Sequence, residues 1–309
     1  MARSEPAQFD VPGAILAGTL HLPDGPGPHP AMVMLQGSGV ADRESGGFFP
    51  PIRAAFLDVG IGVLSWDKPG VGESTGDWRQ RTIFDRADEA VAAVDWLRAH
   101  SAVDAGRIGI WGHSQGGWVG PLTASRIAHP AFLVINSGPG IGIDDQDLYG
   151  VEQTLRSAGG GDAEVAEALA WTRAVHEAAR RGDPYDKVAE RLLRPAAGTH
   201  AGDYFAVDSP EFWGFLVGNA QRPYDPVAAL ERITCPVLAI FGELDRLVPV
   251  DKSVGIFKDA FARAGNTDVT IRVYPGADHR IRVGEPLRFA DGYLAEMAAW
   301  VAARADMAA

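Results

Sequence analysis

The sequence predicts an α/β fold: a mostly parallel sheet flanked by helices, with a helical segment inserted into it. Three observations lead there. Short apolar strand runs alternate with helical stretches through most of the 309 residues, the pattern of strands joined by crossover helices. Between about 144 and 228 that alternation stops, and helical stretches alone remain. One strand runs directly into Gly112-His113-Ser114-Gln115-Gly116, a G-x-S-x-G turn that opens a helix and lifts its serine above the sheet edge.

Taken in chain order, residues 7–22 read as two short strands joined through Pro12-Gly13, followed by a turn-rich loop from Pro23 to Pro30. Ala31–Leu35 is an apolar strand that ends in Gln36-Gly37-Ser38-Gly39. A helix over 52–59 leads to a strand over 61–66. Over 83–99, Ala87, Val91, Val94 and Leu97 oppose Asp85, Asp88, Glu89 and Arg98, the signature of an amphipathic helix. Arg107–Trp111 is the strand before the turn, and Trp118, Val119, Leu122 and Ile127 suit a helix packed beneath the sheet. Strands over 131–135, 236–241 and 269–274 follow, with helices over 251–264 and 286–304.

Within the insertion, helical stretches are expected near 146–157, 163–181, 184–194 and 209–218. A stretch of about 85 residues exceeds what one crossover needs. The expected division is therefore a core of 1–143 and 229–309, with 144–228 as a helical cap.

A net charge of −12 argues against nucleic acid or an anionic membrane surface as partner, since both reward clustered Lys and Arg. Cys235 is the one cysteine, so no internal disulfide forms, and its place in an apolar strand reads as a buried thiol. Neither a secretory signal nor an apolar run long enough to span a membrane is visible, which leads to the expectation of a cytoplasmic protein. Oligomeric state has no signature in the sequence.

A serine hydroxyl becomes a nucleophile only when a base takes its proton and a carboxylate orients that base. Ser114 is the candidate nucleophile. Of eight histidines, His279 alone lies in a glycine-containing loop just after a strand, which marks it as the base. His113 adjoins Ser114, but its side chain should leave the tight turn in another direction. Asp245, after the penultimate strand, can reach His279 across adjacent strand ends, with Glu243 and Asp278 as competitors. Two backbone amides should face the developing oxyanion: that of Gln115, and that of Ser38, with Gly37 as the alternative. This chemistry calls for neither a metal nor an organic cofactor.

The chain resembles the α/β-hydrolases over residues 15–140 and 229–304. The segments that carry the likeness are Leu35-Gln-Gly-Ser-Gly39, Trp66-Asp-Lys-Pro-Gly-Val-Gly-Glu-Ser74, Gly112-His-Ser-Gln-Gly116, Phe241-Gly-Glu-Leu-Asp245 and Gly276-Ala-Asp-His279. The stretches LQGSGVADRES and SWDKPGVGESTGDW are most similar to the capped bacterial branch of serine esterases and thioesterases. The resemblance implies an eight-stranded sheet and a cap that shapes the substrate pocket. It also implies a structural role for Asp67 and its glycine loop. Members often carry His-Gly where this chain has Gln36-Gly37, which implies a different pocket wall.

The implied activity is hydrolysis of a carboxylic ester, thioester or lactone of a small-molecule acyl substrate through an acyl-enzyme on Ser114. Acyl transfer, cyclisation or an aminopeptidase reaction would use the same three groups. A ligand-binding protein on the same scaffold would be expected to have lost one of them. Trp118 reads as core. Trp171, Tyr204, Phe205, Phe212, Trp213 and Phe215 are candidates to line an apolar pocket under the cap.

Overall fold

The computed structural model describes residues 3–205 and 207–307. Strands β1 (Arg3–Val11) and β2 (Ala14–Leu22) form a hairpin turning at Pro12-Gly13, with Val11 opposite Ala14. Next come β3 (His29–Leu35), α1 (Phe49–Asp58), β4 (Gly62–Trp66), α2 (Ile83–Ala99), β5 (Val103–His113), α3 (Gly116–Ala124) and β6 (Leu133–Asn136). The insertion follows: α4 (Ile143–Ser157), α5 (Asp162–Arg181), α6 (Tyr185–Val188), a π-helical turn over Ala189–Leu193, α7 (Arg194–Ala196), α8 (His200–Phe205) and α9 (Pro210–Gln221). Then α10 (Pro226–Leu230), β7 (Val237–Gly242), α11 (Val250–Arg263), β8 (Val269–Tyr274), the short strands β9 (Arg282–Val283) and β10 (Arg288–Phe289), and α12 (Tyr293–Met307) complete the chain.

The eight strands lie in the order β1-β2-β4-β3-β5-β6-β7-β8. β1 and β2 are antiparallel, and the six strands from β4 to β8 run parallel. Helices cover both faces, which is why β3, β4, β6 and β7 are buried along their whole length. The period-2 alternation of a strand divides the core in two. Ala31, Val33, Leu35, Ile108 and Ile110 face α2, α3 and α11. Met32, Met34 and Trp111 face α1 and α12.

The helix starts have local causes. Thr82 caps α2 by accepting from the Asp85 amide at 3.4 Å, while the Asp85 carboxylate takes the Thr82 amide at 2.8 Å, a reciprocal pair. The left-handed Gly182 ends α5. The insertion has small apolar clusters of its own: Val151, Leu155, Val165 and Phe205 in one, Val175, Val188 and Trp213 in another.

Two local expectations change. Residues 286–292 are not helical. Phe289 pairs with Arg282 in the β9–β10 hairpin, and its ring packs on Phe48 and Tyr293, which holds the segment extended until α12 begins at Tyr293. Ile127 lies beyond the end of α3 at Ala124, though it still packs against the core.

Candidate active site

The turn between β5 and α3 holds Ser114 in the left-handed region, at φ +55°, a conformation that a non-glycine residue adopts only where its surroundings enforce it. The enforcement comes from both sides. Ser114 N donates to Asn136 O at 3.0 Å, and Gly117 N donates to Ser114 O at 2.7 Å. A Cβ at Gly112 would collide with the carbonyl oxygen of Gly116, and one at Gly116 with that of Leu35. Glycine at these two positions is what lets strand and helix close to the distance the turn needs.

His279 and Asp245 come together from separate loops. Asp245 follows β7, and its side chain is fully buried. Its Oδ1 accepts the amides of Leu247 (2.8 Å) and Val248 (3.0 Å), which leaves Oδ2 to face His279 Nδ1 at 2.7 Å. The loops are tied to each other where Leu244 N donates to Ala277 O at 2.8 Å. Both competing carboxylates are engaged elsewhere. Glu243 accepts the Gly276 amide, and Asp278 holds the amides of Arg280 and Arg282 together with the Arg282 guanidinium.

His113 is buried, and its ring centroid lies 4.7 Å from that of Phe48 and 4.8 Å from that of His279. Tyr293 OH donates to Asn136 Oδ1 at 2.8 Å, so Asn136 Nδ2 is the donor to His113 Nδ1 at 3.1 Å. That chain fixes the neutral ring with its proton on Nε2. Burial, with the nearby His279 and Arg280 adding to it, holds its pKa well below the usual histidine value.

Ser114 lines a cavity of about 570 Å³ between the sheet edge and the insertion, together with Ser38, Gly39 and Gln115. Among the described residues no hydrogen bond occupies the amide of Ser38 or of Gln115, nor the Ser114 hydroxyl. Gln115 caps α3, so its amide sits at the positive end of that helix dipole. Gln36 is not among the cavity-lining residues. Its Nε2 donates to Trp66 O and its Oε1 accepts from Arg86 Nη2 at 3.1 Å, both below the loop. Asp67 accepts from Arg43 and from the Glu73 amide. These bonds brace the glycine loop, and hold the Asp67 carboxyl below its usual range although burial alone would raise it.

Of the aromatic candidates in the insertion, Tyr204, Phe205, Phe212 and Phe215 line the cavity. Trp171 and Trp213 pack within the insertion instead, their indole nitrogens donating to Leu192 O (2.9 Å) and Asp183 O (2.8 Å). Trp118 is both core and wall: it belongs to the sheet's apolar cluster and also borders the cavity. The wall includes residues that local pattern does not mark, among them Trp78, Tyr224 and Leu247. On the insertion side a polar strip adds Asp144, Asp147, His176 and Arg180. His176 Nε2 lies 3.0 Å from Asp147 Oδ2, and Arg180 pairs with Asp144. Burial raises the Asp147 carboxyl, with His176 opposing the shift.

Among the described residues no cluster of three or more His, Cys, Asp or Glu is placed to hold a metal ion, and no helix is long and apolar enough to cross a membrane.

Known proteins share this arrangement of strands. The chain is 25% identical over 276 residues to esterase EstD of Thermotoga maritima, an alignment spanning 87% of this chain and 59% of that protein. The esterase Pf2001 of Pyrococcus furiosus superposes with a TM-score of 0.65 at 18% identity, covering 99% of this chain and 91% of that one. The proline iminopeptidase of Mycobacterium smegmatis superposes with a TM-score of 0.63 at 22% identity, covering 99% of this chain and 100% of that one. The family model described as the alpha/beta hydrolase family matches residues 32–292. The chain belongs to the alpha/beta hydrolase family.

Proposed function

We propose that the protein is a serine hydrolase that cleaves carboxylic esters, with thioesters and lactones in the same reaction class. The observation that carries this reading is the 2.7 Å contact between His279 Nδ1 and the buried Asp245, set beside a serine held at positive φ on a cavity wall. Asp245 accepts a hydrogen bond from Nδ1–H and leaves Nε2 free to act as base.

In this account Ser114 Oγ attacks the acyl carbonyl and gives its proton to His279. The carbonyl π electrons move to oxygen, and the resulting oxyanion is met by the unoccupied amides of Ser38 and Gln115. Collapse expels the alcohol or thiol, which takes the proton from His279. Water then attacks the acyl-enzyme, with His279 again as base, and the acid leaves. Residues 144–228 serve as the cap, and the aromatic wall it supplies fits an apolar acyl or aryl group.

A second reading, cleavage of an N-terminal amide, is favoured by one observation: Asp144, Asp145 and Asp147 border the same cavity, where a substrate amino group would take the place of one of their present partners Arg180, Lys252 and His176. The structural likeness to an iminopeptidase is compatible with it.

Hydrolysis of p-nitrophenyl esters from acetate to dodecanoate, beside aminoacyl p-nitroanilides, tests both. The proposal predicts ester turnover that disappears in Ser114→Ala, with a chain-length optimum set by the cavity. Anilide turnover that exceeds ester turnover would shift the assignment to a peptidase. Turnover unchanged by Ser114→Ala would refute the mechanism.

A further inference from the structure

We propose that Lys68 is a positioning residue for the loop that carries the Ser38 amide. The inference rests on the hydrolase reading above. Lys68 follows β4, and only 1% of its surface is exposed. Its Nζ donates to Gly37 O at 2.5 Å and to Gly39 O at 2.7 Å. These two carbonyls bracket Ser38.

Peptide planarity turns this contact into an orientation. In a trans peptide the C=O and the following N–H point in opposite directions. Anchoring Gly37 O on Lys68 therefore turns the Ser38 N–H away from Nζ, toward the side where Ser38 and Ser114 border the cavity. The second anchor, at Gly39, prevents the peptide from flipping about its flanking bonds. A hydrogen bond received at the carbonyl end also polarises the Gly37–Ser38 peptide, which makes its N–H a stronger donor.

The surroundings make the contact obligatory for the lysine. Among the described residues its hydrogen-bond acceptors are the two carbonyls, and no carboxylate forms an ion pair with it. The neighbouring Glu89 already faces Arg81 and Arg86. Burial, with the nearby Arg86 adding to it, holds the Lys68 pKa well below the usual lysine value, and releasing the loop would leave this buried amino group without its two acceptors, which is unfavourable in either protonation state. Arg86 meanwhile holds Gln36, at the root of the loop, from below. The Lys68 side chain and the loop thus fix each other.

The test compares Lys68→Met, which keeps the length of the stem without a donor, and Lys68→Gln, which retains a neutral donor. Each is assayed on a p-nitrophenyl ester and on its thionoester, whose sulfur accepts poorly from oxyanion donors. Wild type should strongly prefer the ester. The proposal expects Lys68→Met to lose about 10²-fold in kcat, the scale of one oxyanion donor. KM should stay within about threefold, and the ester-to-thionoester preference should collapse. Lys68→Gln should fall between the two, and it carries the same test if the Met variant does not fold.

A folded variant that loses ester and thionoester activity in equal proportion, changes only KM, or keeps its kcat overturns the proposal. If wild-type turnover does not depend on Ser114, the hydrolase reading fails and takes the clamp with it. Ser114-dependent turnover with an unaltered preference in the Lys68 variants overturns the clamp alone.

Discussion

Replacing Asp245 with asparagine separates the proposed chemistry from the architecture that surrounds it. In the native protein, Asp245 Oδ1 accepts the Leu247 and Val248 amides, and Oδ2 faces His279 Nδ1. Asparagine has one oxygen, and two backbone N–H groups compete for it at the Oδ1 position. Its amino group therefore takes the Oδ2 position and donates to Nδ1. The imidazole proton is driven to Nε2, the nitrogen that must accept the serine proton. A tautomer reversal of this kind lowers kcat by about 10⁴-fold in serine proteases, equivalent to ~5 kcal/mol of transition-state stabilisation. Because both backbone bonds survive, the melting temperature should barely change. Asp245→Ala, by contrast, orphans two buried amides at roughly 1–3 kcal/mol each, so it should lose both activity and stability. Turnover of a p-nitrophenyl ester and thermal melts read the two quantities. An Asn variant within tenfold of wild type, or one whose activity falls only in step with its melting temperature, would refute the reasoning.

Five further outcomes are expected. Gly112→Ala forces a Cβ onto the Gly116 carbonyl, and should cost roughly 3 kcal/mol or more in urea unfolding. Gly214→Ala, at an exposed helical site with open space around it, should instead add about 0.5–1 kcal/mol. Burial pushes the Cys235 thiol up to about 12, so Ellman's reagent at pH 8 should label it only after unfolding. His21 is lowered to about 4, first by burial and then by Arg53, against an opposing Glu44. The neutral ring therefore favours the fold above the unfolded value near 6.5, and that contribution is lost as pH falls toward 4. Chemical denaturation from pH 7 to 4 should show a steeper loss of stability in wild type than in His21→Gln. Phe215→Ala opens the aromatic wall and should move the ester chain-length optimum upward by two or more carbons, with Ser114 chemistry retained.

Local sequence was enough to place what the sheet holds. Ser114 and Asp245 follow strands that end in apolar runs, His279 follows the alternating edge strand β8, and the strand ends of a parallel sheet meet along one edge. The order of the elements therefore predicts their proximity. The cavity wall had no such guide. Trp78 reaches it from the loop before α2, where it meets Phe212 and Phe215 of α9, a contact that no periodicity announces. Lys68 looked like part of a structural glycine loop because its partners lie about 30 residues earlier and are carbonyls, which leave no mark on side-chain pattern. Periodicity also extended the final helix back to 286, where the contacts of Phe289 with Phe48 and Tyr293 override it. Gln36 was expected to alter the pocket wall, yet it is spent on the Trp66 carbonyl and on Arg86, beneath the loop.

The central claim is that Ser114 is a nucleophile activated by His279 and Asp245, and covalent trapping tests it most directly. The protein is treated with a fluorophosphonate, and the adduct is read by intact mass and peptide mapping. A single phosphonyl adduct is expected on Ser114, absent from Ser114→Ala and formed orders of magnitude more slowly in His279→Ala. A folded protein that forms no adduct, or one that carries it on another residue, would contradict the account.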